Sequence, residues 1–336
     1  MRVLFITAGV VLVLVAAAMY LLRHHADPSV DPAWEIEASG SAAAGPVTVR
    51  FTGTSTLLFS DGDTAWMVDG WFSRPSPLAL IFGKIEPDLE AIKRGLAANN
   101  ANDLAAVIPV HSHYDHAMDA PEVARLTGAT LWGSESTANI GRGWGLDEAQ
   151  IAVFENRVPV SFGAFTVTPI ESKHFQFPDP DVRERALGNP EITAPLVPPV
   201  GAFEYRLGKA YVLHVDHPRG SFAIVGSAGF EEGGLAGYAA QTIFLGIGGL
   251  GGQTASYRET YWRETVEMVS AERVIPIHYD SLTGPIEGPF QGQSVVLGVL
   301  SGGEENTLPF LKTKQAAHPH LTFETLPRYD EVVLFR

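Results

Sequence analysis

The chain contains no cysteine. That excludes disulfides and thiolate zinc sites, so any bound metal must sit on His, Asp or Glu. It leaves the compartment open, since a cysteine-free chain survives in any redox environment. Basic residues are scarce as well: 23 Lys and Arg stand against 38 Asp and Glu, a formal net charge of -15. So acidic a surface repels phosphate backbones, which argues against a nucleic-acid partner, and it discourages docking on anionic lipid headgroups. No internal repeat is present, and no Ser/His/Asp nucleophile arrangement stands out. The stretch from Gly246 to Gly252 lacks the Lys-Ser/Thr of a phosphate loop and reads instead as a loop closing near a site. With 46% hydrophobic and 18% charged residues, the 336-residue chain can bury a sizeable core in one large domain or two small ones.

Charge is absent altogether from Val3 to Leu22, a run of Val, Leu, Ile and Ala long enough to cross a bilayer as one helix. Residues 1–26 therefore read as a membrane anchor, with a cleaved signal segment ending near Ala16-Ala17-Ala18 as the alternative. The expected location is membrane-anchored with the globular part outside the cytoplasm, or secreted if the segment is cleaved. Residues 27–46, rich in Ala, Ser, Gly, Pro and acids, read as a linker, and 47–336 as the folded domain. Its first runs, Val47 to Phe51, Thr56 to Phe59 and Ala65 to Val68, predict a strand meander. Glu90 to Ala98 predicts a helix, Leu104 to Val110 a doubly buried strand, and Asp119 with Pro121 and Glu122 a helix start. Later alternating or apolar runs cover 165–170, 202–207, 211–215, 222–225, 242–246, 274–277 and 331–335. Tyr257, Tyr261, Trp262, Val266 and Val269 share one helix face. Two strand-rich halves mixed with helices predict two packed sheets with helices outside.

The chemistry concentrates in Val110-His111-Ser112-His113-Tyr114-Asp115-His116, directly after a buried strand. In extended chain, residues two apart point the same way, so His111 and His113 can reach one ion. Asp115 and His116 fall in the next turn and can face a second ion. Imidazoles and a carboxylate suit Zn²⁺, with Fe or Mn possible.

This His-x-His-x-Asp-His run resembles the signature of the metallo-β-lactamase-fold hydrolases, and its wording is similar to their lactonase-like and N-acyl-phosphatidylethanolamine phospholipase D-like branch. The resemblance covers most of the chain from Val47 and implies a four-layer αββα sandwich, one or two metal ions, and a metal-bound hydroxide that attacks an ester, lactone or phosphodiester. It implies His174 as third ligand beside His111 and His113, and His278 beside Asp115 and His116. Asp115 would also act on the attacking water, and Asp69 would brace the loop from behind. Where the family carries a bridging aspartate, the sequence reads Val225-Gly226-Ser227-Ala228-Gly229, with Ala228 at the expected position. On that reading Ala228→Asp would raise metal occupancy, and Asp216 or His217 could substitute. The aromatic, Pro-rich stretch from Phe175 to Val200 is expected to line an apolar pocket through Phe175, Phe177, Pro178 and Pro195. With an anchor, a lipid-like substrate comes first; a β-lactamase-like amide hydrolase and a non-catalytic metal- or ligand-binding member are the alternatives.

Overall fold

The computed structural model describes residues 20, 24–38, 45–300 and 302–336. Apart from Tyr20, the uncharged run Val3–Leu22 lies outside them; among the described residues no helix is long and apolar enough to cross a membrane.

Side-chain alternation sorts the strands into two layers of contact. In β1 (Val47–Gly53), β2 (Thr56–Ser60), β3 (Ala65–Val68) and β4 (Ala106–Ile108), the residues Phe51, Leu57, Phe59, Trp66, Val68 and Ile108 face the other sheet. Their neighbours Leu58, Met67 and Val107 point outward onto Ile92, Leu96 and Val123 of the helices Leu89–Asn99 and Ala120–Thr127. Both faces are thus buried, as the continuous apolar run before His111 requires. With β5 (Thr130–Gly133), β6 (Ile151–Val153) and β14 (Val332–Phe335), these strands form a seven-stranded sheet in the order β14-β1-β2-β3-β4-β5-β6.

The second sheet has seven strands in the order β13-β12-β11-β10-β9-β8-β7. They are β7 (Val160–Phe162), β8 (Phe165–Ser172), β9 (Ala210–His217), β10 (Gly220–Val225), β11 (Thr242–Gly246), β12 (Arg273–Ile277) and β13 (Thr322–Phe323). An aromatic seam joins the sheets: the Phe59 ring stacks on Phe222 at 4.6 Å and meets Phe244 edge-on at 5.3 Å. Outside the second sheet, the helix Ala255–Trp262 buries Tyr261 and Trp262, with Trp262 stacked over Phe323. The sandwich of two mixed sheets between helices is the architecture expected.

Strand direction then decides where chemistry can gather. In each sheet three antiparallel pairings precede three parallel ones. Strands β1, β3 and β4 consequently end at one edge of the first sheet. Strands β8, β10, β11 and β12 end together at one edge of the second.

Two expectations need correction, and a third, the helix start at Asp119, is met without a side-chain cap. Residues 27–38 are not a free linker: a short 3-10 turn at Pro32–Trp34 seats the buried Trp34 against Phe323, and Ile36 bonds to Thr325. Composition hid the one indole that ties the segment down. Residues 202–207 form no strand; Ala202–Glu204 is a 3-10 turn. Asp119 does precede its helix, but its carboxylate makes no cap. It accepts instead from the Phe72 and Ser73 amides at 2.8 and 2.6 Å and from the Ser73 hydroxyl at 2.8 Å, fastening the chain that leaves β3.

Burial raises the Asp119 pKa from 3.8 to about 6, although the bonds from Ser73 and Phe72 pull the other way. A raised folded-state pKa adds stability that is full below 3.8 and lost as pH climbs through about 6. The stability of the wild type minus that of Asp119→Asn, from urea unfolding, should therefore fall between pH 4 and pH 7. A constant difference would contradict the assignment.

Candidate metal centre

Asp69 closes β3 with φ +58°, a left-handed conformation that is costly for a residue with a Cβ. The turn puts its carboxylate under the histidine loop. Oδ1 accepts from the Val110 amide at 2.9 Å, and Oδ2 faces His116 Nδ1 at 2.8 Å. Held from below in this way, the loop leaves β4 with His111 and His113 side by side, and Tyr114–Ala117 then makes one helical turn that carries Asp115 and His116.

Two triads result. His111, His113 and His174 bring one ring nitrogen each within 4.8 Å of one another, and so do the ligand atoms of Asp115, His116 and His278. The triads adjoin, with the His111 and His116 rings 3.9 Å apart. His174 follows β8 and His278 follows β12, at the edge where the strand directions converge. All six residues singled out in the sequence therefore meet at one place.

The outer hydrogen bonds fix which nitrogens are free. The Ala186 carbonyl lies 3.1 Å from His113 Nε2 and the Phe175 carbonyl 2.9 Å from His174 Nδ1. A carbonyl can only accept, so those nitrogens carry the protons and the opposite ones keep lone pairs. Burial and the neighbouring imidazoles of His116, His113 and His174 hold His111 well below its ordinary pKa. Burial and His113 do the same to His174, and burial lowers His113 against Asp115. Three imidazoles with converging ring nitrogens, two of them with the protonated nitrogen fixed on the outer side, are a donor set for a divalent cation.

The second triad differs. Burial alone would lower His116, but the carboxylates of Asp69 and Asp115 raise it to about 10. Burial would raise Asp115, yet His116 and His278 hold it well below the usual carboxylate range. A cation entering here has to displace a proton, so binding at this triad releases one. Asp115 Oδ2 lies 3.4 Å from His116 Nε2 and 3.3 Å from His278 Nε2.

Residues that the sequence reading passed over hold this triad in place. The β1–β2 turn supplies the Ser55 hydroxyl at 3.1 Å from His116 Nδ1 and the Thr54 carbonyl that accepts the His278 amide at 2.5 Å. Asp280 in turn accepts the Thr54 amide at 2.5 Å. His278 sits at φ +60°, and a Cβ on Gly248 would lie 2.5 Å from its Nδ1, so glycine is required there.

The loop after β10 corrects a further expectation. Ala228 is fully buried within the apolar core. The polar side chain beside His174 belongs to Ser227, whose Oγ takes the Phe175 amide at 3.4 Å. Asp216 and His217 cannot substitute, because they sit at the opposite end of β9, where His217 pairs with Asp61. No carboxylate from this loop bridges the triads.

Above the triads opens a cleft of about 950 Å³, counting the solvent in its mouth. Phe175 and Phe177 line it as expected; Pro178 and Pro195 do not. Val182 and Ala186, from the helix Pro180–Leu187 inside the supposed loop, form one wall, and Gly248 and Gly249 another.

Sequence comparison matches residues 49–278 to the metallo-beta-lactamase superfamily model. The chain belongs to this superfamily, and its class is that of the metal-dependent hydrolases. No curated protein matches it. Among solved structures it is similar to Igni18, a metallo hydrolase from Ignicoccus hospitalis, at 17% identity and TM-score 0.51, covering 85% of this chain and 97% of that one. A possible metal-dependent hydrolase from Veillonella parvula matches at 11% identity and TM-score 0.51, over 87% of this chain and 100% of that one. The CmlA beta-hydroxylase of Streptomyces venezuelae, as its E377D mutant, matches at 12% identity and TM-score 0.50, over 89% and 55%. At these identities the likeness is one of fold.

Two variants test the site. Asp69→Asn weakens the orientation of His116, and the expected loss is about 10- to 100-fold in affinity for the second ion, read by metal titration; unchanged affinity would remove Asp69 from the site. Ala228→Asp should lower the unfolding midpoint by burying an unpaired carboxylate, with no gain in metal content by elemental analysis.

Proposed function

We propose that the chain hydrolyses an amphipathic, lipid-like ester, lactone or phosphodiester with one or two divalent ions, Zn²⁺ first. The observation that carries this reading is an apolar cleft opening directly over two donor triads. His111, His113 and His174 would hold one ion, and Asp115, His116 and His278 the other. Such an ion supplies Lewis acidity and brings the pKa of a water down to roughly 7.

The chain's own groups do the rest. Asp115, ionised and turned towards His116 and His278, is placed to orient the attacking water and accept its hydrogen bond. Asp69 keeps His116 Nδ1 protonated, and the carbonyls of Ala186 and Phe175 do the same for His113 Nε2 and His174 Nδ1, so that the rings cannot rotate out of register. Phe175, Phe177 and Val182 exclude water from the reacting bond and receive an apolar substituent.

The histidine-rich donor set favours zinc-type hydrolysis over the carboxylate-rich sites of dioxygen-activating di-iron proteins. The non-catalytic reading rests on the missing carboxylate between the triads, and turnover on the panel below would exclude it. The run Val3–Leu22 supports membrane anchoring.

His113→Ala should strip the first ion and abolish turnover on a panel of lactone, phosphodiester and β-lactam substrates. A variant with full activity and full metal content would overturn the assignment, and turnover confined to β-lactams would replace the substrate class.

A further inference from the structure

Apolar side chains left singly in solvent are ordinary. Among the described residues the five most exposed large ones are Phe82 at 82%, Val299 at 73%, Val197 at 65%, Tyr20 at 61% and Leu78 at 55%. All five sit on segments that wall or adjoin the cleft. Leu78 and Phe82 lie on the helix Pro77–Phe82, whose Leu80 packs with Ile85, Ala202 and Tyr205; the last two line the cleft. Val197 lies three residues before Val200, which exchanges backbone bonds of 2.7 and 3.1 Å with Ile85. Val299 shares the helix Val295–Leu300 with the cleft-lining Leu297. Tyr20 stacks on His24, whose carbonyl accepts the Val295 amide at 3.2 Å, and Ala26 bonds to the cleft-lining Gln293 at 3.1 Å. The chain that follows the uncharged run Val3–Leu22 is therefore fastened beside the mouth of the cleft.

We propose that this mouth is a lipid-contact face: Leu78, Phe82, Val197 and Val299 seat in the headgroup–acyl boundary of the bilayer that receives Val3–Leu22, and the substrate's apolar part enters the cleft from the membrane. Two features select a bilayer as the occupant. The 20-residue uncharged run Val3–Leu22 precedes the His24–Ala26 segment that bonds to Val295 and Gln293, and Leu80, Leu196, Val200 and Leu297, from the segments that carry the exposed side chains, share one apolar cluster with the cleft-lining Ala202 and Tyr205. The net charge of -15 makes a zwitterionic surface the partner, since an anionic one would repel the domain. The substrate route rests on the lipid-like reading above, whereas contact is measured without turnover, so either can fail while the other stands.

Because the chain has no cysteine, a single thiol can be labelled uniquely. Phe82→Cys, Val299→Cys and, at the far end of β9, Asp216→Cys would each be labelled with an environment-sensitive fluorophore. The full chain is then reconstituted in phosphatidylcholine vesicles with and without acyl-brominated lipid. The expected result is a blue shift and bromolipid quenching at positions 82 and 299, with neither at 216. Labels at 82 and 299 that stay as aqueous as the one at 216 would overturn the proposal. So would a blue shift without bromolipid quenching, which would mean that the run itself or a second copy covers the face.

Discussion

The site depends on one carboxylate. Asp69 lies beneath the histidine loop and is fully buried, with one oxygen on the Val110 amide and the other on His116 Nδ1. The first bond sets where the chain leaves β4, which places His111 and His113. The second sets the orientation of the His116 ring and, through it, which nitrogen faces Asp115. A residue in ordinary extended backbone would direct its side chain out of one face of the sheet. The left-handed turn at Asp69, continued by Gly70 at φ +73°, directs it under the loop. The strain is offset by charge-assisted hydrogen bonds in a buried setting, where such bonds are strongest.

Strand direction completes what that carboxylate begins. Neither sheet alone could assemble six ligands. The first offers the ends of β1, β3 and β4; the second offers those of β8, β10, β11 and β12. Because parallel pairing forces neighbouring ends to one edge, segments as far apart as His111, His174 and His278 meet without long excursions. The same logic explains why the β9–β10 hairpin, at the other edge, contributes nothing: Asp216 and His217 are separated from the triads by the length of β9.

What was legible in the sequence was whatever has a period or a dense local pattern. The alternation of Leu57, Leu58 and Phe59, or Trp66, Met67 and Val68, marks two buried faces, and three histidines in six positions after an apolar run mark a metal loop. The helix Glu135–Trp144 was invisible, because its Gly141 and Gly143 are weak helix formers that tertiary contact selects: a Cβ at Gly143 would meet the Leu196 carbonyl. Ala228 was misplaced because a motif aligned by spacing does not tell which of two adjacent side chains turns into the core. Trp34 was missed because a single indole in a polar stretch has no period to betray it. Ser55, Thr54 and Asp280 act through turn geometry and backbone bonds, which residue identity does not announce.

The distribution of polarity in the cleft bears on what the centre can do. Its walls are largely apolar, and the histidines and Asp115 gather on the floor; among the other lining residues, the half-buried Glu304 accepts the Gly249 amide at 2.6 Å and the Thr307 hydroxyl at 2.9 Å. Burial raises its pKa, and the Gly249 bond opposes that. It anchors the Gly248–Gly249 turn whose close approach holds the His278 ring. Within such walls water cannot screen the triads, and the field of any ion they hold acts on the reacting group with little attenuation. A substrate with an apolar body and one polar, cleavable head matches that gradient from wall to floor. A highly charged polymer would have to shed its hydration along the whole cleft and approach a domain of net charge -15. The proposed lipid-like substrate would meet both conditions, and the walls bear on that proposal as much as the six side chains of the two triads.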